Sequence, residues 1–302
     1  MKFPAAADIR LKARKPGSHK GDNGRVLVVA GSIDCVGAAY LAGMAAFRSG
    51  VDAVVIAAPE KVAWAVNCLS PDIITKKFRG DFFTQAAISE ILKMSKSFDV
   101  TLIGNGIGKD VKTLKFASAV CRKVKGLKVI DADAIAAVRI QDVQNAIFTP
   151  HHAEYDLLLR NSNCKNDNDA RKIIGSNVLL VKGYKSAAAK GKHIDAVISK
   201  SAVAFNKTGN AGMTVGGTGD VLAGLCAGLL AQEKGLFKAA CAAAYINGTA
   251  GNLLLKKYGY GFMASDLLEW LPKVLRKKPR RSMFGKFKNL PEFKREKIDR
   301  FD

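Results

Sequence analysis

The sequence has no paired cysteine motif, no apolar leader and no long hydrophobic run. None of the cysteines forms a C-x-x-C pair, and their spacing is not that of a disulfide framework. Residues 1–21 contain no apolar stretch of the secretory type. The most apolar run, at 36–47, is too short to cross a bilayer. We therefore expect a cytoplasmic protein with reduced thiols and no membrane contact. The six cysteines are at positions 35, 68, 121, 164, 226 and 241.

Acidic residues are scarce relative to basic ones. The chain has 26 Asp and Glu against 48 Lys and Arg, a formal net charge of +22. Residues 273–302 hold twelve basic and four acidic residues. A basic protein attracts nucleic acid, phosphorylated metabolites or acidic partners, and charge alone does not choose among them. The alternative to a C-terminal tail that binds such a partner is a basic surface that is merely solvated.

Short β-branched runs alternate with helical patterns along the chain. RVLVVAG at 25–31 has the composition of a buried strand, and 35–50 that of a small-residue helix. The alternation predicts an α/β fold with a mostly parallel central sheet covered by helices on both faces. No linker or repeat interrupts it, so we expect one domain over 1–276 and a basic C-terminal tail over 277–302. Further strands are predicted within 52–59, 99–106, 127–135, 145–150, 177–183 and 199–205, and further helices within 82–97, 111–126 and most of 220–276.

The segment NAGMTVGGTGD at 210–220 combines a glycine-rich loop with one carboxylate, Asp220, before a long small-residue helix. Glycine lets the backbone approach a ligand closely. The first N–H groups of a helix lack internal partners and carry partial positive charge, so the loop and helix start would form a phosphate cradle. A simple N-cap role for Asp220 is the alternative. It would explain the acid but not the glycines before it.

The role of Asp220 follows from its expected neighbour. A carboxylate and a phosphate repel each other. Placing them side by side therefore makes sense only if the carboxylate serves a third group. We interpret Asp220 as the general base that accepts the proton of a hydroxyl while that hydroxyl attacks the phosphoryl group. Ligands of parallel α/β sheets bind at the carboxyl ends of the strands, so the other candidate residues are sought in the loops that follow strands.

Six motifs along the chain carry a family resemblance. They are SHKGDNGRVLVVAGS (18–32) with VGAAYLAGMAAFRSGVDAVVIAAPE (36–60), GNGIG (104–108), DADAI (131–135), TPHHAEYDLLL (149–159), LLVKGYKS (179–186) and TGNAGMTVGGTGDVLAG (208–224). In order and spacing they resemble the ADP- or ATP-dependent (S)-NAD(P)H-hydrate dehydratases of the ribokinase-like superfamily, over about residues 18–272. The resemblance implies a ribokinase-like three-layer α/β/α fold. It also implies repair of the hydrated nicotinamide ring of NADH or NADPH.

The same resemblance implies roles for individual residues. Asp220 would be the catalytic base and would also contact the hydrate hydroxyl, and Glu154 would take a metal role, either local or mediated by water. The residues implied for hydrate binding are Ala38, Gly104, Gly106, Gly108, His151 and Asp220. Those implied for nucleotide binding are Lys182, Gly183, Tyr184, Lys185, Ser186, Thr208, Asn210, Gly216, Gly217, Thr218 and Gly219.

The chain departs from the family pattern at T-P-H-H-A-E, where His152 and Ala153 stand in place of Pro and Gly. The turn is expected to differ, and either histidine could point inward; we favour His151 as the substrate contact. GNGIG reads G-x-G-x-G and lacks the G-x-G-x-x-G spacing of a dinucleotide fold, so we infer no Rossmann site.

In the reaction that we infer, Asp220 takes the proton of the C6 hydroxyl while that oxygen attacks the terminal phosphorus of ADP or ATP. The ring nitrogen then expels phosphate and NAD(P)H is restored. Mg²⁺ would neutralise charge on the phosphates. The resemblance further implies a homo-oligomer, often a tetramer. Only about seventeen residues precede SHKGD, so the epimerase domain often fused to this family is expected as a separate protein.

Two other functions compete with this one. A small-molecule kinase of the same superfamily, acting on a vitamin precursor or sugar alcohol, would share the loop and Asp220; the SHKGD start and the T-P-H segment favour the dehydratase. A nucleic-acid-binding protein could use the basic residues and two phenylalanines of 273–288. No RNA-binding signature accompanies that segment, and a solvated tail is the preferred interpretation.

Overall fold

A single mixed sheet forms the centre of the protein, which is described by a computed structural model over residues 14–184 and 194–276. Its strand order is β3-β2-β1-β4-β5-β6-β7-β8-β9. All pairings from β3 to β7 are parallel, and only β8 and β9 run antiparallel to their neighbours. The mostly parallel sheet is therefore confirmed. The strands are β1 (Arg25–Val29), β2 (Ala53–Pro59), β3 (Ile74–Phe78), β4 (Val100–Ile103), β5 (Leu127–Ile130), β6 (Ala146–Phe148), β7 (Val178–Tyr184), β8 (Ile194–Ile198) and β9 (Val203–Asn206).

Helices cover both faces of this sheet. One face packs against α1, α2, α7, α8 and α9, and the other against α3, α4, α5 and α6. The three-layer α/β/α arrangement is thus confirmed. The helices are α1 (Val36–Arg48), α2 (Glu60–Leu69), α3 (Ile88–Ser95), α4 (Val111–Lys123), α5 (His152–Asn161), α6 (Asp167–Ile173), α7 (Thr218–Glu233), α8 (Leu236–Tyr258) and α9 (Ala264–Arg276).

Strand β1 shows why the central strands are continuous apolar runs. Val26 and Val28 lie in the core on one face of the sheet, while Leu27 and Val29 lie in the core on the other. Alternate side chains of a strand point to opposite faces, so a strand covered on both faces needs an apolar residue at every position. Each fully buried Val or Leu contributes roughly 1.5–3 kcal/mol relative to an exposed one.

The long helix α7 is held close to α1 by small residues. A Cβ on Gly224 would lie 2.0 Å from the carbonyl oxygen of Ala42, and one on Gly228 would lie 2.7 Å from that of Ala46. Only glycine at these positions permits this separation of the two helices. The packing places the N-terminus of α7 at the carboxyl edge of the sheet, where the candidate site lies.

Two strands were not predicted, β3 and β8. β3 carries lysines at Lys76 and Lys77 and is the edge strand of the sheet. β8 follows directly on residues 185–193, which lie outside the described part of the chain. The predicted helical region after Asp220 is confirmed as α7, α8 and α9. The boundary at 276/277 stays a prediction, because the predicted basic tail over 277–302 also lies outside the described residues.

All six cysteines fall within the described residues and none is paired, in agreement with the expected reduced thiols. Across 14–184 and 194–276, no helix combines the length and apolar character needed to cross a bilayer.

Candidate active site

The glycine loop turns into α7 at the carboxyl edge of the sheet, as predicted. The N-cap of α7 is Gly217, with a left-handed φ of +92°, and no side chain caps this end of the helix. Asp220 lies in the first turn of the helix and does not cap it. The simple N-cap interpretation of Asp220 is therefore wrong.

The carboxylate of Asp220 is bound by a side chain from another strand end. Asn105, which follows β4, donates its Nδ2 to Oδ1 of Asp220 at 2.7 Å and to Oδ2 of Asp131 at 2.8 Å. Asn105 thus bridges two carboxylates that would otherwise repel each other. Its own Oδ1 is buried and has no hydrogen-bond partner in the described structure.

Asp131 follows β5 and is the buried centre of this network. Its side chain is 2 % exposed and accepts hydrogen bonds from Thr149 Oγ1 at 2.7 Å and from Lys182 Nζ at 3.1 Å. With Asn105, three donors from three strand ends surround one carboxylate. A buried carboxylate needs such partners because the loss of hydration would otherwise cost several kcal/mol.

Burial and charge set the protonation of Asp220. The pKa of Asp220 is raised from 3.8 to about 7, mainly by burial and next by the carboxylate of Asp131, while the Asn105 hydrogen bond and the Lys182 ammonium act in the opposite direction. A carboxyl with a pKa near neutrality is a stronger base than an ordinary aspartate and still loses its proton at physiological pH. This property suits a general base.

Lys182 places a positive charge beside the glycine loop. Its Nζ lies 3.2 Å from the position that a Cβ on Gly219 would occupy. Burial lowers the pKa of Lys182, but the carboxylates of Asp131 and Glu154 outweigh this and raise it above its ordinary value, so the side chain stays a cation. An ammonium next to unpaired helix N–H groups is a suitable arrangement for an anion such as a phosphate.

The turn after β4 brings the predicted glycines against Ala38 and Asp131. Gly104 has a φ of +125°, and a Cβ there would lie 2.0 Å from the carbonyl oxygen of Asp131, so only glycine fits. A Cβ on Gly106 would lie 2.9 Å from that of Ala38. The backbone N–H of Gly108 donates to Asp133 Oδ2 at 2.9 Å. The structure therefore groups Ala38 with these glycines, next to the carboxylate pair.

His151 and Glu154 form the N-terminal cap of α5. The Nδ1 of His151 accepts from the N–H of Glu154 at 3.3 Å, and Glu154 Oε2 accepts from the N–H of His151 at 2.8 Å. This reciprocal pair is a capping box. The His151 side chain is 57 % exposed, and His152 points along the helix to Asp156 at 3.8 Å. The helix begins at His152, and substrate contact by His151 stays a prediction.

The charges of the carboxylate network also change the pKa of Glu154. Burial raises its pKa, the Asp131 carboxylate adds to this, and Lys182 opposes it. Its predicted metal role stays a prediction. No group of three or more His, Cys, Asp or Glu side chains within 14–184 and 194–276 is arranged to hold a metal ion by itself.

Several predicted nucleotide-binding side chains hydrogen-bond within the protein. Thr218 donates its hydroxyl to the carbonyl of Met213 at 2.7 Å, which holds the loop closed. The Tyr184 hydroxyl donates to Asp167 of α6. Thr208 Oγ1 donates to Asn206 Oδ1 at 2.8 Å. These contacts indicate that the side chains shape the loops, and their contact with a nucleotide stays a prediction.

The other residues predicted to bind the nucleotide differ in where they lie. Asn210 accepts from the N–H of Gly212 at 2.9 Å, and the N–H of Gly183 donates to the carboxylate of Asp195 at 3.2 Å. Gly216 is exposed at the tip of the loop. Lys185 and Ser186 lie outside the described residues.

Three residues of the site were not assigned from the sequence: Asn105, Asp131 and Thr149. Each lies one or two positions after the end of a strand. Parallel strands bring their carboxyl ends together at this edge of the sheet. A polar residue at that position is the signal that could have found them. The pairing among them depends on strand order, which the sequence did not supply.

Comparison with known proteins places the chain in a family. The family model of the NAD(P)H-hydrate dehydratases matches residues 26–273. A bifunctional NAD(P)H-hydrate repair enzyme Nnr of Methanocaldococcus jannaschii is 40 % identical over 269 residues, which are 88 % of this chain and 51 % of that protein. An ADP-dependent (S)-NAD(P)H-hydrate dehydratase of Cenarchaeum symbiosum is 32 % identical over 275 residues, 89 % of this chain and 95 % of that one. The chain spans about half the length of the bifunctional relatives that it matches.

A solved structure has the same fold. It is the ADP/ATP-dependent NAD(P)H-hydrate dehydratase of Bacillus subtilis, co-crystallised with ATP and Mg²⁺. It superposes with a TM-score of 0.71 at 25 % identity and covers 88 % of this chain and 94 % of that one. The predicted ribokinase-like fold is confirmed.

Proposed function

We propose, since this chain belongs to the NAD(P)H-hydrate dehydratase family, that it uses ADP or ATP to dehydrate the S epimer of NAD(P)H hydrate and so restores NAD(P)H. The observation that carries the proposal is the placement of Asp220. It lies in the first turn of α7, beside Lys182 and bound by Asn105, with a pKa raised to about 7 by burial and by Asp131. A base is thereby held where a helix N-terminus and a cation would receive a phosphoryl group.

In the first step, Asp220 takes the proton from the C6 hydroxyl of the hydrate while the hydroxyl oxygen attacks the terminal phosphorus of the nucleotide. The O–P bond to the nucleotide breaks and leaves AMP from ADP, or ADP from ATP. The N–H groups at the start of α7 and the ammonium of Lys182 stabilise charge on the transferring group. In the second step, the ring nitrogen donates its electron pair, the C6–O bond breaks and inorganic phosphate leaves. The iminium ring that results loses a proton from C5 to the departing phosphate or to solvent, and the C5=C6 double bond of NAD(P)H forms.

The residues fit a magnesium ion that is held mainly by the nucleotide. Mg²⁺ in phosphoryl-transfer sites takes one or two carboxylates, with phosphate oxygens and waters completing the shell. Asp131 already accepts from Asn105, Thr149 and Lys182, and Asp220 accepts from Asn105 and is the proposed base, so Glu154 is the carboxylate that we propose for the ion, directly or through water. The ion would supply neutralising charge on the phosphates.

The proposal has consequences for partners and location. An epimerase that interconverts the two hydrate forms is the expected partner activity, because a dehydratase specific for the S epimer leaves the R epimer behind. The unpaired cysteines suit the cytoplasm, where thiols stay reduced. A homo-oligomer is part of the same proposal.

The test is an assay of the purified chain with chemically prepared NADH hydrate, with ADP and ATP in parallel reactions. We expect recovery of the absorbance of reduced nicotinamide, release of inorganic phosphate in equal amount, and loss of the S form with the R form remaining in a chromatogram. Reactions without nucleotide are the control.

A stable phosphorylated product would identify a kinase of the same superfamily and contradict the proposal. No turnover with either nucleotide, by a protein shown to be folded, would also contradict it.

A further inference from the structure

A cavity of about 310 Å³ opens at the amino edge of the sheet, the edge opposite to the candidate active site. It lies between the end of α4, the start of β5 and the segment that leads into β6. Its volume is at the lower end of the range of about 300–1,000 Å³ typical of small-ligand pockets. The residues that line it include Arg122, Val124, Lys125, Lys128, Asp142 and Gln144.

Lys128 is the buried member of this lining. It is the second residue of β5 and is only 2 % exposed, which is rare for a lysine without a carboxylate partner. Its Nζ donates to the carbonyl oxygen of Gln144 at 2.6 Å. Across the described residues, no carboxylate lies within ion-pair distance of that ammonium, so the charge has no counter-ion from the protein.

The groups around Lys128 do not neutralise it. The thiol of Cys121, on α4, is the titratable group that could act on the charge of Lys128. Burial raises the pKa of this thiol to about 12, so it stays uncharged. Arg122 and Lys125 add two positive charges at the exposed rim, against one negative charge from Asp142. The cavity therefore has a net positive lining around a buried cation.

We propose that this cavity binds a small polyanion of the phosphate or diphosphate type, with the buried Lys128 ammonium on its floor and Arg122 and Lys125 at its rim. An anion supplies the counter-ion that the protein does not, and a charge-assisted hydrogen bond in a partly dehydrated site is stronger than one at the surface. The site is separate from the catalytic edge, because Lys128 lies near the start of β5 and Asp131 follows the end of that strand.

The protonation of Lys128 gives the site a pH dependence. Burial lowers the pKa of Lys128 to about 8. A bound anion favours the charged amine, so binding takes up a proton at slightly alkaline pH. Affinity should therefore fall as the pH rises through about 8.

The experiment is a titration of the full chain with inorganic pyrophosphate at moderate salt, followed by backbone amide NMR. This readout separates two sites in one sample, because the proposed nucleotide site at the catalytic edge can also bind pyrophosphate. Amides of Val124, Lys128 and Gln144 report the cavity, and amides of 217–220 report the glycine loop. We expect saturable shifts in both groups, each with its own dissociation constant.

The variant Lys128→Met keeps the length of the side chain and removes its charge. We expect it to weaken binding at the cavity by at least about tenfold and to leave the glycine-loop constant unchanged. Lys123→Met is the control, because it removes an exposed positive charge at the end of the neighbouring helix α4, outside the cavity lining. It should change the cavity constant by less than about twofold.

Folding of Lys128→Met is checked by its unfolding temperature, which should not fall, since methionine suits a buried position. Shifts confined to 217–220 would place the anion at the catalytic edge alone and overturn the proposal. Equal cavity affinity in the wild-type chain and Lys128→Met would show an adventitious ion only, and would overturn it as well. Neither result would bear on the dehydratase assay.

Discussion

Asn105 donates one hydrogen bond to Asp220 at 2.7 Å and, from the same nitrogen, another to Asp131 at 2.8 Å. The amide thus joins the carboxylate proposed as the base to the carboxylate at the centre of the buried network. Because the hydrogen bond favours the charged form of Asp220, Asn105 holds the pKa of Asp220 below the value that burial and Asp131 would otherwise impose. Asn105 is therefore a positioning residue for the proposed base.

Replacement of Asn105 by alanine should move the pH dependence of the reaction. Without the hydrogen bond, the pKa of Asp220 rises above about 7, so the acid limb of the kcat/KM profile shifts to higher pH. The profile is measured from pH 5 to pH 9 by recovery of NADH. The control is Asn67→Ala, which removes an amide that bonds only to Ile73, Thr75 and Lys77, away from the site. A uniform loss of rate with an unmoved acid limb would contradict this role.

Replacement of Asp220 by asparagine should remove the proposed base and keep the geometry. We expect kcat to fall by about 10²–10⁴-fold, the usual contribution of a positioned general base. Nucleotide affinity, measured by calorimetry, should change little. Asp133→Asn is the comparison, since Asp133 accepts from Gly108 at the same edge, whereas the amide of Asn105 donates to Asp131 and Asp220. Turnover of Asp220→Asn near the wild-type rate would remove Asp220 from the catalytic role.

The same variant should be more stable than the wild type. The pKa of Asp220 is raised in the folded protein, so the folded state holds the proton more tightly and loses stability as the pH rises from about 4 to about 7. The pKa difference corresponds to roughly 4 kcal/mol, and we expect about half of it because the side chain is partly exposed.

Urea unfolding at pH 4 and pH 8 measures this stability difference. Asp220→Asn should gain about 2 kcal/mol over the wild type at pH 8 and almost nothing at pH 4. An equal difference at both pH values would show that the effect is not electrostatic.

Lys182 and Asp131 form a buried ion pair whose partners should be coupled. Lys182→Met leaves the Asp131 carboxylate without its cation and should cost about 3–5 kcal/mol of unfolding free energy. The double variant Lys182→Met/Asp131→Leu removes both charges and should be more stable than Lys182→Met alone. The measurement is a double-mutant cycle by urea unfolding. Additive losses would contradict the coupling.

Gly224 should tolerate no larger residue, because its Cβ would meet the carbonyl of Ala42 at 2.0 Å. Gly224→Ala should push α7 from α1 and cost about 1–3 kcal/mol, as overpacking does. Thermal unfolding measures the loss. Gly126→Ala is the control, since no atom lies within 4 Å of its Cβ position and its φ is not positive. A similar loss for both variants would show that the close helix contact is not the cause.

The sequence predicted more of the fold than of the candidate site. Alternating apolar runs and helical patterns were sufficient to predict the parallel sheet with helices on both faces. The edge strand β3 was missed because Lys76 and Lys77 break its apolar pattern, and an edge strand needs less burial than a central one. The glycine loop before Asp220 predicted the start of α7 and the acid at its first turn.

The sequence alone determined which residue types are available: a carboxylate after a glycine loop, glycines and an amide after β4, and a lysine near the end of β7. Local signals such as these depend on neighbours along the chain, and they can be read in one dimension. Only the tertiary structure decided that Asn105 bridges Asp220 and Asp131, and that Lys128 is buried without a counter-ion. Both depend on the order of strands in the sheet and on the packing of α4 and α7, which bring together residues up to 115 positions apart.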